Sequence, residues 1–190
     1  MTANPPAAEV ITAADLATRV GELGAAISED HPTTRPVLVA VLVGALPFLA
    51  DLVRSVSVPV DVDFLAISRF GEGGRLRVVL DTSQSLSGRD VLIVEDIVDT
   101  GLSLTVLRRM LADRGANSVA TVALLDKASR RLVSVPIEYR GFGVGDEYFV
   151  GYGLDYEGRF RNLRSIWAVL DMSAFADGSD RAAHFLHTTR

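Results

Sequence analysis

Three acidic side chains surround the end of an apolar run in the stretch VLIVEDIVDTGLS. Glu95 and Asp96 directly follow the run Val91–Val94, and Asp99 lies three positions beyond Asp96. Residues 100–103 then open a segment with helical spacing, and a helix start offers unpaired N–H groups and a dipole that favour a phosphate. Carboxylates accept hydrogen bonds from hydroxyl groups. The stretch therefore suits a phosphorylated sugar with vicinal hydroxyls.

Helix capping is the simpler explanation for such residues. Asp99 or Thr100 would cap the helix that follows, because Asp and Thr are favoured at that position. Capping accounts for one polar residue and leaves the other acids unexplained, so a ligand site is the better interpretation.

Short apolar runs that alternate with helical patterns must position these acids. Apolar periodicity behind Thr12, a candidate N-cap, predicts a helix over 13–29, and VLIVED is apolar enough for a central parallel strand. The alternation indicates an α/β fold with a mostly parallel, twisted sheet flanked by helices, where ligands bind beyond the carboxyl ends of the strands. The other predicted strands cover 36–44, 60–68, 77–81, 118–127 and 165–171, the other predicted helices cover 47–56 and 102–115, and 69–77 is a predicted flexible loop.

Composition narrows the class of protein. The chain has 190 residues, of which 48% are hydrophobic and 23% charged, and this suits one globular domain. It has no Cys, no secretion signal and no apolar run near the roughly 18 residues of a membrane helix, so we expect a cytoplasmic protein without membrane partners. A net charge of −5 disfavours binding to nucleic acid.

Lys127 is the only Lys among 19 basic residues. A compositional bias toward Arg is the ordinary explanation for that ratio. A lone Lys in such a chain is nevertheless a candidate for a position that needs a compact ammonium in place of a planar guanidinium.

The acidic motif and its neighbours resemble a known family. EDIVDTGLS resembles the phosphoribosyl-pyrophosphate motif of type I phosphoribosyltransferases, and the resemblance extends over about 37–170. Three further segments, LLDKASRR at 124–131, DEYFVGYGLDYEGRFRNL at 146–163 and VDFLAIS before a Gly-containing loop, are similar to the hypoxanthine-guanine branch. The resemblance implies one domain over 1–170 with a small hood formed by the N- and C-terminal segments, and a C-terminal tail over 171–190 that is a short helix or frayed.

The resemblance also implies roles for the acidic motif. Glu95 and Asp96 would bind the ribose 2- and 3-hydroxyls and contribute to a Mg²⁺ site. Asp99 would lie near purine N7 as the catalytic base. The 5-phosphate would be held by residues at the helix start: Thr100, Gly101, Leu102 and Ser103.

Five later residues match the family's contacts to the base, the metal and pyrophosphate. Lys127 would donate to purine O6, Tyr148 would stack on the base, and the backbone of Phe149 would meet its other edge. Asp155 would reach Mg²⁺, in part through water, and Arg161 would hold pyrophosphate. Taken alone, each residue has an ordinary structural explanation: an aromatic of a strand, a cap of a turn or a charge exposed to solvent. Their joint order behind the acidic motif favours a nucleotide site.

The implied activity is Mg²⁺-dependent transfer of a phosphoribosyl group from phosphoribosyl pyrophosphate to hypoxanthine or guanine, giving IMP or GMP in purine salvage. The family is typically a dimer or tetramer, so we expect a homo-oligomer. Two alternatives stay open: a non-catalytic or weakly catalytic relative that senses nucleotide, and an enzyme for another purine-like base.

Two segments depart from the family pattern. Val43 and Gly44 lie in the expected pyrophosphate loop, where relatives often carry Lys or Arg at the position of Val43. The loop 69–77 is short and begins with Arg69-Phe70 where relatives have a Ser-Tyr pair that closes over the reaction centre. One hypothesis is that cations in the short loop compensate for Val43; they are Arg69, Arg75 and Arg77.

Overall fold

The computed structural model describes residues 5–70, 75–176, 182 and 186. The chain divides into two compact units, one formed by Thr18–Asp146 and the other by Met1–Ala17 with Glu147–Arg190. In chain order the described elements are β1 (Ala7–Ile11), α1 (Ala13–Asp30), β2 (Val37–Leu42), α2 (Leu46–Ser55), β3 (Asp61–Phe70), β4 (Arg75–Leu80), β5 (Asp90–Val98), α3 (Leu102–Asp113), β6 (Ser118–Asp126), a 3₁₀ turn (Ala128–Arg130), β7 (Tyr139–Gly143), β8 (Tyr148–Val150), β9 (Ile166–Val169) and α4 (Ser173–Ala176).

A six-stranded sheet forms the first unit, in the order β4-β3-β2-β5-β6-β7. Four of its pairings are parallel, and only β3 with β4 is antiparallel. The continuous apolar run Val91–Val94 lies in β5, between β2 and β6, and each of its residues is at most 1% exposed. The prediction of a central parallel strand is therefore confirmed, since such a strand is buried on both faces.

Helix α3 follows β5 and packs on the sheet. Its buried residues Leu104, Leu107 and Leu111 recur at helical spacing and join the core formed by β2 and β5. The helix ends at Asp113 with Arg114 as its C-cap, and Gly115 has φ = 82°, a conformation that glycine adopts readily at a helix end. The strand, turn and helix that the acidic motif predicted are thus all present.

Thr12 caps helix α1 as predicted. The Asp15 amide donates to Thr12 Oγ1 at 3.1 Å, and the Thr12 amide donates to Asp15 Oδ2 at 3.2 Å. This reciprocal pair satisfies two donors at the helix start.

The prediction of a flexible loop over 69–77 is wrong for most of that stretch. β3 continues to Phe70 and β4 begins at Arg75, and the two strands pair in antiparallel register from Phe70 with Arg75 to Ser68 with Arg77. The remaining residues of the stretch, 71–74, lie outside the described residues. Strand pairing uses backbone groups, so Arg69, Phe70 and Arg75 can pair whatever their side chains are. The prediction from composition therefore made the loop too long.

The second unit contains a three-stranded antiparallel sheet in the order β1-β9-β8. Its core joins residues from both ends of the chain, including Ala7, Trp167 and Phe175. N- and C-terminal segments therefore form this unit together, as expected for the hood. Of the helices in the described part of the chain, none has the length and apolar content to cross a membrane.

Candidate active site

Glu95 and the start of α3 line one cavity of about 190 Å³ at the carboxyl end of β5. Pockets for whole small ligands typically measure about 300–1,000 Å³, so this cavity suits a part of a ligand such as a phosphate or a sugar. Val41 and Ile67 line it too, and their apolar side chains gave no sequence signal for a site. The other lining residues are Ile97, Val98, Asp99, Thr100, Gly101, Ser103 and Leu104.

Glu95 is a buried acid, only 8% exposed. Burial raises the pKa of the Glu95 carboxyl well above its usual range, and the neighbouring Asp96 charge adds to the rise. Hydrogen-bond donors from a ligand would favour the ionised form, as the hydroxyls of a sugar would. An up-shifted acid that lines a cavity is typical of a functional site.

Asp96 packs against the loop that contains Val43 and Gly44. A β-carbon on Gly44 would lie 1.6 Å from Asp96 Oδ2, so a larger residue at position 44 would displace that carboxylate. The Ile97 amide donates to Asp96 Oδ1 at 2.8 Å. Val43 is 58% exposed, and the peptide bond between Leu42 and Val43 is cis. The structure thus brings Asp96 and Gly44 together.

The N-cap of α3 is Gly101, with φ = 81° and no side-chain hydrogen bond to the first turn. Capping by Asp99 is therefore not the reason for the acidic motif. The Leu102 amide approaches Thr100 Oγ1 at 3.4 Å, a long contact. The start of α3 lines the cavity with the positive end of the helix dipole, which fits the predicted phosphate role of the turn.

Asp99 pairs with Arg130, a residue to which the sequence assigned no role. Arg130 Nε donates to Asp99 Oδ1 at 2.8 Å, and Arg130 Nη1 donates to Asp146 Oδ1 at 2.6 Å. Asp146 and Asp99 raise the pKa of the Arg130 guanidinium, and the hydrogen bond from Arg130 lowers the pKa of Asp146. The candidate base thus belongs to a chain of three charges.

Lys127 follows β6 and is 7% exposed, so the alternative that it faces solvent is wrong. Its amide donates to the Val98 carbonyl at 3.0 Å. This backbone bond places Lys127 beside the end of β5, where the acidic motif lies. A nearly buried ammonium fits the predicted role of Lys127 as a hydrogen-bond donor to a ligand.

The second unit holds the other four predicted residues. Tyr148 and Phe149 open β8, with Tyr148 44% exposed and Phe149 buried. The Tyr148 hydroxyl donates to the Asp155 carbonyl at 2.8 Å, and burial raises the pKa of Tyr148. Arg161 Nη2 lies 2.7 Å from Asp155 Oδ1. The residues predicted to bind pyrophosphate and Mg²⁺ therefore pair with each other.

Tyr148 also belongs to an aromatic cluster that the sequence did not reveal. Its ring contacts Tyr156 edge to face at 5.7 Å between centroids, and Tyr156 contacts Phe175 of α4 in the same way. The C-terminal helix α4 thus supports the ring that is predicted to stack on a base.

Mg²⁺ commonly binds to one or two carboxylates together with substrate phosphates and water. Glu95 and Asp96 are two such carboxylates beside the candidate phosphate cavity, so the donor set fits this ion. In the second unit, both oxygens of Asp155 are engaged, by Arg161 and by the Gly158 amide. Within 5–70, 75–176, 182 and 186, no group of three or more His, Cys, Asp and Glu could hold a metal by itself.

Comparison with known proteins gives consistent matches. The family described as "Phosphoribosyl transferase domain" matches residues 8–157. The hypoxanthine-guanine phosphoribosyltransferase of Bacillus subtilis is 40% identical over 158 residues, covering 81% of this chain and 88% of that protein. The hypoxanthine phosphoribosyltransferase of Salmonella typhimurium is 42% identical over 167 residues, covering 85% of this chain and 94% of that protein. A crystal structure of a hypoxanthine-guanine phosphoribosyltransferase from Bacillus anthracis matches with a TM-score of 0.84 at 35% identity, covering 86% of this chain and 98% of that one.

Proposed function

The chain belongs to the phosphoribosyl transferase family, and on that premise we propose that it transfers a phosphoribosyl group from phosphoribosyl pyrophosphate to hypoxanthine or guanine. The products would be IMP or GMP and pyrophosphate, a reaction of purine salvage in the cytoplasm. The names of the curated relatives support the choice of bases. Binding of the donor is supported by the cavity at the end of β5.

One observation carries the proposal: the buried Glu95 carboxyl and the start of α3 line the same cavity. A phosphorylated ribose carries both hydroxyls and a phosphate. The carboxyl would accept from the hydroxyls, and backbone donors at 101–103 would hold the phosphate.

The reaction separates charge, so the proposed site needs groups of both signs. Departure of pyrophosphate from ribose C1 leaves positive charge on the sugar and negative charge on the leaving group. Glu95 and Asp96 would lie on the sugar side, and Arg161 would meet pyrophosphate after it separates from Asp155. Bound Mg²⁺ would supply Lewis-acid stabilisation of the pyrophosphate charge.

Asp99 would accept the proton of the attacking purine. The Arg130 guanidinium holds Oδ1 of its carboxylate, which leaves Oδ2 to face the base. A charged hydrogen bond of this kind fixes the orientation of the carboxylate. Orientation matters because a general base must lie within hydrogen-bond reach of the proton that it removes.

Lys127 would select the base. An ammonium has donors only, so it pairs with a 6-oxo group and meets the 6-amino group of adenine donor to donor. Lys127 is nearly buried, and an unpaired buried group costs about 1–3 kcal/mol. The protein should therefore use 6-oxopurines and reject adenine.

A donor-binding sensor is the second candidate function. Two observations favour it: an exposed Val43 where a cation is frequent in the family, and the pairing of Arg161 with Asp155. Arg77 of β4 is exposed and available to compensate for Val43 in an enzyme, while the side chains of Arg69 and Arg75 lie outside the described residues. An Arg69→Ala variant with an unchanged KM for the donor would count against compensation by that residue.

One assay separates these functions. The protein is mixed with phosphoribosyl pyrophosphate, Mg²⁺ and each of hypoxanthine, guanine, xanthine and adenine, and pyrophosphate release is followed. We expect release with the 6-oxopurines and little with adenine. Binding of the donor without release would favour the sensor, and efficient turnover of adenine would contradict the role of Lys127.

A further inference from the structure

Asp126 is a buried carboxylate, 1% exposed, that directly precedes Lys127. Two arginines pair with it: Arg131 Nη2 with Oδ1, and Arg140 Nε with Oδ2 at 2.9 Å. A buried carboxylate requires such partners, because taking it out of water without compensation is costly. Both arginines therefore neutralise the same charge.

Only Arg131 makes a second contact that reaches the acidic motif. Its Nη1 donates to the backbone carbonyl of Asp99. The Arg131 side chain is 15% exposed, whereas that of Arg140 is 57% exposed. A guanidinium can hold two acceptors at once because its donors form a rigid fork, which an ammonium lacks.

The residues after Arg131 continue this contact along the turn. The amides of Leu132 and Val133 donate to the Thr100 carbonyl at 3.0 and 3.3 Å. A β-carbon on Gly101 would lie 2.9 Å from both Arg131 Cδ and the Val133 carbonyl oxygen. The segment 131–133 thus packs directly against the turn that begins at Asp99.

We propose that Arg131 is a positioning residue that ties the Asp99–Ser103 turn to the buried carboxylate beside Lys127. It holds the turn in the geometry in which the helix start binds the donor phosphate. The inference rests on the proposed function, since it assigns a consequence for binding of phosphoribosyl pyrophosphate at that turn. Asp126 is the anchor, and Arg140 serves only to neutralise it.

Arg131→Met and Arg140→Met form the matched test. Each removes one cation from Asp126 and keeps an unbranched apolar stem, but only the first removes the contact with Asp99. Binding of phosphoribosyl pyrophosphate is measured by calorimetry with Mg²⁺, together with KM for the donor, KM for hypoxanthine, and Tm. We expect Arg131→Met to raise the donor Kd and KM at least about tenfold, the size of one lost hydrogen bond from a charged donor. Arg140→Met should change both by less than about twofold, and KM for hypoxanthine should change little in either variant.

Arg131→Lys covers the outcome in which Arg131→Met does not fold. Lysine keeps a positive charge beside Asp126 but replaces the two donor nitrogens of the guanidinium by one, so it should fold and still show the raised donor Kd and KM. Wild-type donor affinity in Arg131→Lys, or equal losses in the two Met variants, would overturn the proposal. If the wild-type protein itself binds no donor, the proposed function fails and this inference fails with it. If the wild type binds the donor and the variants match it, the inference alone fails.

Discussion

Gly44 lies against the Asp96 carboxylate, so close that a β-carbon on Gly44 would fall 1.6 Å from Oδ2. The contact joins the loop after β2 to the acidic end of β5, the two segments predicted to bind pyrophosphate and ribose. Replacing Gly44 by Ala should therefore displace Asp96. We expect kcat/KM for phosphoribosyl pyrophosphate to fall at least about tenfold, as for a lost hydrogen bond to a charged group. This kcat/KM is measured from steady-state pyrophosphate release.

Gly21→Ala is the matched control for Gly44→Ala. Gly21 lies in α1, and a β-carbon there meets nothing within 4 Å. This variant should keep full activity and gain up to about 1 kcal/mol of stability, because Ala favours a helix more than Gly does. Similar kinetics in the two variants would show that the contact with Asp96 is unimportant.

Asp99→Asn tests the general base. A positioned base contributes about 10²–10⁴-fold, so turnover should fall by that order. The ion pair with Arg130 is half exposed, and such pairs contribute little to stability, so Tm should change little. Asp113→Asn is the control, because Asp113 also pairs with an arginine, Arg109, on the exposed face of α3. Unchanged turnover in Asp99→Asn would remove Asp99 from the mechanism.

Glu95→Gln tests the raised pKa of the buried acid. Below the ordinary glutamate pKa of 4.5, the carboxyl is protonated in both folded and unfolded chains, so it adds no pH dependence. As the pH rises from 4.5 toward the raised folded pKa, the unfolded chain loses this proton and the folded protein keeps it, so wild-type stability declines. Glu95→Gln lacks that decline. The variant should therefore be more stable than the wild type at pH 7, and should lose this advantage at pH 4.

Thermal unfolding of the wild type and Glu95→Gln at both pH values checks this difference. The variant should also lose donor affinity, because an amide accepts less strongly from hydroxyls than a carboxylate does. Glu22→Gln, at an exposed position of α1, provides the reference for a Glu-to-Gln change without burial. If the difference in Tm between the wild type and Glu95→Gln is the same at pH 4 and pH 7, the raised pKa is wrong.

Tyr148→Ala and Tyr148→Phe test the stacking ring. Stacking of a base on an aromatic ring contributes about 1–3 kcal/mol, so Tyr148→Ala should raise KM for hypoxanthine by about 5–150-fold. Tyr148→Phe keeps the ring and loses only the hydroxyl bond to the Asp155 carbonyl, so its effect should be smaller. KM for the base at saturating donor is the measurement. Equal values for the two variants would mean that the ring does not stack on the base.

Local sequence patterns predicted much of the first unit. The run Val91–Val94 and the leucines of α3 reveal their burial through short-range periodicity, which is why strand, turn and helix were predicted in order. The 69–77 stretch was predicted less well, because the pairing of β3 with β4 depends on a partner strand and not on the composition of the stretch itself. The pairing of β1 with β9 joins residues about 160 positions apart, and no local pattern contains it.

For the candidate site, too, some features follow from local sequence and others only from the tertiary structure. By itself the sequence predicted the candidate residues: Glu95, Asp96, Asp99, Lys127 and the helix start that follows the acidic motif. Their types and order along one strand-turn-helix unit are local properties. Only the tertiary structure decided how they are held. Arg131 contacts the Asp99 carbonyl, Gly44 touches Asp96, and Arg130 holds Asp99, because these contacts join segments that are distant in the chain and meet only when the sheet forms.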